Sequence, residues 1–133
     1  MLKHLPPLLT PDALFALASM GHGDDVAIVD ANFPAARVAA AGGARLVQLP
    51  GADAPAALAA VLAVLPVDDF EPAPTRFMEV VGEPGAVPPP VAAFQALLAQ
   101  AGEAPAQGLE RHAFYAAAQR AFDHLAAMDF QRG

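Results

Sequence analysis

The stretch from Met20 to Pro34, MGHGDDVAIVDANFP, decides how this chain is read. Its apolar run, Val26 to Val29, is short and rich in β-branched residues, the pattern of a strand buried on both faces. Glycines flank His22, which precedes that run, and Asp30 closes it. The flanking glycines free the backbone around His22 and leave its imidazole unshielded. Asp30 falls at the carboxyl end of the strand, where α/β sheets bind their ligands. The segment therefore reads as an active-site segment inside an α/β fold.

Helices and strands alternate outward from it. Thr10-Pro11-Asp12 carries a helix start: a capping hydroxyl, proline at the first helical position and an acid in the first turn. That helix is predicted to run to Met20 and stop at Gly21. Pro34 opens a short helical segment through Ala40, ended by Gly42-Gly43, and Arg45 to Leu49 reads as a second strand. Asp53 caps the next helix, where Leu58, Val61, Leu62 and Leu65 recur at helical spacing until Pro66 ends it. Arg76 to Val81 reads as a third strand, and Val91 to Ala101 as a helix stopped by Gly102. A brief extended piece, Leu109 to Arg111, leads to a last helix predicted over His112 to Met128, with Phe114, Ala118, Ala121, Leu125 and Met128 as its core stripe. The expected architecture is α/β: a single layered domain over residues 1–133, with a central sheet flanked by helices.

Composition narrows the chemistry. At 133 residues and 56 % hydrophobic content the chain can bury one core. The longest apolar run, Ala54 to Val67, is too short to span a bilayer and holds two prolines. Pro6 and Pro7 interrupt the place where a signal peptide would need its apolar stretch, so a cytoplasmic location is expected. A net charge of −7 with seven scattered Lys and Arg offers no basic patch for nucleic acid. With no cysteine there is no disulfide, thiolate metal site or Cys nucleophile. His4, His112 and His124 have no metal-ligand spacing with His22, and Gly42-Gly43 lacks a phosphate-loop context, so neither metal nor cofactor is expected.

The candidate site residues each carry two readings. An imidazole titrates near neutrality, so His22 reads as a group that can give and take a proton; it also reads as a polar loop residue that caps a helix end. Asp30 reads as a ligand-binding carboxylate or as a cap for the segment after it. Arg111 and Tyr115, four apart, share one helical face, where a guanidinium fork and a hydroxyl-bearing ring can hold a polar ligand. They equally read as an exposed arginine and a half-buried tyrosine.

Taken in order, Met1-Leu2-Lys3, the Pro-Leu-Leu-Thr-Pro helix start, Met20 to Asp24, Asp30, Asn32-Phe33-Pro34-Ala35, Arg111 to Tyr115 and Ala118 to Phe122 resemble the fucose mutarotase and ribose pyranase family. Asn-Phe-Pro-Ala points to its L-fucose mutarotase branch. The resemblance implies a cofactor-free isomerase that interconverts ring forms of a free monosaccharide. It also implies a homo-oligomer, often a decamer, with sites near subunit contacts. By the same resemblance His22 is the acid/base group, Asp30 and Arg111 hold the sugar, and Tyr115 adds substrate contact. Ribose pyranase-type activity, or a silent sugar-binding or transport-associated relative, are the alternatives. One departure stands out. The family's Tyr-Gly-Asn-like turn and final strand beyond the last helix find no match in Asp129 to Gly133, so the chain is expected to lack that strand.

Overall fold

In the computed structural model, residues 2–21, 23–30, 33–67 and 73–128 are described. Strands β1 (Val26–Val29) and β2 (Arg45–Pro50) run parallel but do not pair with each other. Between them lies β5 (Asp123–Met128), parallel to both, with Val26 and Arg45 opposite Asp123, and Val29 and Gln48 opposite Ala126. A second, two-stranded parallel sheet pairs β3 (Arg76–Met78) with β4 (Gln107–Leu109). Arg76 Nη2 reaches Asp25 Oδ2 at 3.1 Å, tying β3 to the start of β1.

Helices cover both faces of the three-stranded sheet. Val47, Leu49 and Leu125 point to α1 (Pro11–Ser19) and α3 (Ala54–Val64), which bury Ala13, Ala16, Leu17, Ala57, Ala60 and Val61 against them. On the other face Val29 and Ala126 pack with Ala35 and Phe33. There α2 (Ala35–Gly42) and α5 (Arg111–Arg120) lie side by side. Their approach depends on Gly42, where any Cβ would collide with the Gln119 carbonyl. The fifth helix, α4 (Pro89–Gln100), packs on α3. No helix among the described residues is long and apolar enough to cross a membrane.

The predicted helix starts hold. Thr10 Oγ1 accepts from Ala13 N at 3.1 Å and Asp53 Oδ1 from Ala56 N at 2.8 Å, each leaving one fewer unpaired amide at a helix start. Gly43 ends α2 in the left-handed region at φ 73°, a conformation a Cβ disfavours. The α3 face differs from the expected leucine stripe: its buried positions are Ala57, Ala60 and Val61, with Leu58, Leu62 and Leu65 half-buried. Small residues let the helix sit close to the sheet. The third strand is also shorter than Arg76 to Val81, because the chain turns after Glu79 and Val80 bridges Glu83 through Gly82 at φ 77°. Leu109 to Arg111 shifts likewise, since β4 closes at Leu109 and Arg111 already belongs to α5.

The largest correction concerns the chain's last part. The helix predicted to Met128 ends at Arg120, and Asp123–Met128 is the central strand. Leu125 and Met128 therefore do not belong to a helical stripe. Leu125 is fully buried under α1 and α3, whereas His124 lies fully buried on the α5 side, its Nε2 2.7 Å from the Ala118 carbonyl. A helix here would leave the facing edges of β1 and β2 without backbone partners, a cost the parallel ladders remove. The expected loss of the Tyr-Gly-Asn-like turn and of the strand after it falls on Asp129 to Gly133, which lie outside the described residues.

Candidate active site

Asp30 stands at the carboxyl end of β1, half-buried. Its Oδ1 accepts from Phe33 N at 3.1 Å, and its carbonyl accepts from the same amide at 3.2 Å. This turn sets the direction in which the chain leaves the strand, so the capping reading of Asp30 describes one of its roles. The turn delivers Phe33 against α5, where its ring meets Tyr115 edge to face at 5.2 Å and Phe114 at 5.9 Å. Tyr115 is thereby half-buried, its ring fixed from one side.

Arg111 is the first residue of α5, one turn before Tyr115 and exposed. Its place depends on Glu110, whose Oε2 accepts from His112 N at 2.9 Å and Ala113 N at 3.1 Å. The His112 amide bond is the largest influence holding the Glu110 carboxyl below the ordinary carboxylate range; slight desolvation opposes it, and the Ala113 amide, His112 and Arg111 add to the lowering. Arg111, Glu110 and His112 line a cleft of about 310 Å³ together with Glu79, Val80 and Gly82. Neither Glu79 nor Glu110 stood out in the sequence reading. Glu110 had a detectable signal, an acid immediately before a helix start; Glu79 had none, because only the pairing of β3 with β4 brings it to the cleft.

Asp30 is joined to Tyr115 through Phe33, whereas Arg111, one turn before Tyr115, lines a cleft to which neither Asp30 nor Tyr115 contributes. His22 lies outside the described residues, as does Asn32. Among the described residues no group of His, Asp and Glu has the arrangement of a metal site. Asp24 and Asp25 are exposed: Asp24 Oδ2 accepts from Gly21 N, and Asp25 pairs with Arg76.

Residues 3–129 match the RbsD / FucU transport protein family. The chain belongs to that family. It is 39 % identical to fucose mutarotase of Bos taurus over 92 % of this chain and 81 % of the relative. To fucose mutarotase of Homo sapiens it is 38 % identical, over 91 % of this chain and 80 % of the relative. Its fold is similar to the crystal structure of fucose mutarotase in complex with L-fucose from Streptococcus pneumoniae. That likeness has a TM-score of 0.84 at 29 % identity and covers 96 % of this chain and 89 % of the other. In this RbsD / FucU family chain Asp30 thus stands at the carboxyl end of a strand of the parallel sheet.

Proposed function

We propose that this protein is an isomerase, a cofactor-free mutarotase that interconverts the anomers of L-fucose or a related monosaccharide. The carrying observation is its likeness, in sequence and fold, to fucose mutarotases over more than nine-tenths of its length. Opening the cyclic hemiacetal requires removal of the anomeric hydroxyl proton and delivery of a proton to the ring oxygen. Closing on the opposite face reverses both transfers. His22 is the group proposed for this exchange, since an imidazole works as acid and base near neutral pH; such assistance is worth roughly 10² to 10⁴ in rate.

Asp30, Arg111 and Tyr115 are proposed to hold the sugar. A carboxylate accepts from hydroxyls, a guanidinium donates to them, and the tyrosine ring and hydroxyl supply a flat wall with a polar tip. Holding ring atoms against His22 is a positioning contribution. The family match over residues 3–129 supports reading the chain as one mutarotase domain. A homo-oligomer and a cytoplasmic location complete the proposal.

Exchange NMR on L-fucose, with D-ribose as comparison and protein at catalytic concentration, tests it. Faster exchange between fucose anomers is expected, and its loss in His22→Ala with sugar binding retained. No acceleration by folded protein overturns the mutarotase reading, and acceleration of ribose ring interconversion alone replaces it by the pyranase reading. Unchanged exchange in His22→Ala removes the histidine from its role.

A further inference from the structure

Glu79 follows β3 directly, and its amide donates to the Leu109 carbonyl at 2.8 Å, extending the pairing with β4 by one bond. Its side chain lies across Gly108. A Cβ at that glycine would sit 2.7 Å from both Glu79 Cγ and Oε2, closer than such atoms approach one another. The carboxylate is half-buried and lines the same cleft as Arg111. Among the described residues it forms no ion pair or hydrogen bond through its carboxyl oxygens, and Arg111 forms none through its guanidinium. A carboxylate seated over a glycine, lining one cleft with an arginine to which it forms no ion pair, leaves both groups open to a third.

We infer that Glu79 is a specificity-determining residue of the sugar site. Its carboxylate accepts from one hydroxyl of a neutral vicinal diol while Arg111 donates to the neighbouring oxygen. An acceptor and a donor lining one cleft match the donor and acceptor capacity of adjacent hydroxyls. The negative charge also disfavours acidic sugars, since like charges placed together reject the wrong ligand. This inference rests on the mutarotase reading, because it takes Arg111 as a sugar contact.

The experiment measures L-fucose anomer exchange against sugar concentration for the parent protein, Glu79→Ala, Glu79→Gln and Gly108→Ala, each checked for folding by circular dichroism. Glu79→Ala is expected to raise KM roughly tenfold with a much smaller effect on kcat, the size of one lost charge-assisted hydrogen bond. Glu79→Gln, which keeps an acceptor oxygen, is expected to restore much of that loss and to let D-galacturonate compete with L-fucose more strongly than in the parent. Gly108→Ala displaces the carboxylate and should mimic Glu79→Ala without altering its chemistry. An unchanged KM in folded Glu79→Ala overturns the inference while leaving the mutarotase reading intact. If the parent protein does not accelerate exchange, the mutarotase reading falls, and saturation-difference NMR of L-fucose binding then decides on Glu79. Equal binding by parent and Glu79→Ala, or none by either, overturns the inference.

Discussion

Phe33 and Tyr115 meet edge to face, their ring centroids 5.2 Å apart and their planes at 76°. One ring comes from the turn after β1 and the other from the second turn of α5, so the contact joins the Asp30 segment to the helix that begins with Arg111. Such pairs favour this geometry because the electropositive ring edge faces the electron-rich π-face, contributing about 0.5–1.5 kcal/mol beyond area burial.

Tyr115→Phe keeps both rings and removes one hydroxyl. Its urea midpoint is expected to stay within about 0.5 kcal/mol of the parent, while KM for L-fucose rises. Phe33→Ala, by contrast, should lose roughly 1–3 kcal/mol and raise KM as well, because the turn loses its anchor. Equal losses of stability in the two variants would mean that the Tyr115 hydroxyl, and not its ring, holds the helix in place.

Asp123 makes stability fall with rising pH. The residue is 1 % exposed at the start of the central strand, and its Oδ2 has no hydrogen-bond partner among the described residues. Burial raises its pKa above the usual 3.8; Arg45 opposes this, Asp24 adds to it, and His124 opposes it. The fold therefore favours the protonated form. Its contribution is full below the unfolded-state pKa and is lost as pH rises through the higher folded-state value. Asp123→Asn is expected to be more stable than the parent at pH 8, by roughly 1–3 kcal/mol. The gap should narrow as pH falls below the usual 3.8, where the parent carboxyl is protonated in the folded and unfolded states alike. Urea titrations at both pH values check this.

Gly42→Ala reverses the usual helix rule. Alanine inside a helix is ordinarily favoured over glycine by roughly 0.5–1 kcal/mol. Here the new methyl would strike the Gln119 carbonyl, so α2 and α5 must separate. A net loss of about 1–3 kcal/mol is expected from overpacking, read as a lowered urea midpoint.

Glu110→Ala removes the acceptor for two amides at the start of α5. Amide hydrogen exchange at His112 and Ala113 should quicken, and KM for L-fucose should rise as Arg111 loses its fixed start. Because the folded-state pKa lies below the ordinary 4.5, the parent's cap is fully present above that value. It is lost as pH falls through the lowered pKa, so the exchange difference between parent and variant should vanish in acid.

Local signals in the sequence were sufficient for most elements, and the reasons are chemical. Thr10 with Pro11, Asp53 with Pro55, Gly43 and Gly102 mark helix ends through capping atoms or backbone freedom that act within a few residues. The Val26–Val29 run is β-branched and followed by Asp30, so a strand ending in a carboxylate was legible without any partner. The same local order carried Arg111 and Tyr115 to one face of a helix.

Asp123–Met128 is different. Leu125 and Met128 are three apart, the spacing of one helical face, and alanines suit a helix. Only the slot between β1 and β2, each offering an unpaired edge to the same segment, makes the strand the better solution. The meeting of Phe33 with Tyr115, and the cleft that Glu79 and Arg111 both line, belong to tertiary structure for the same reason. Capping and periodicity act along the chain, whereas strand pairing and side-chain approach are settled by segments far apart in sequence competing for the same space.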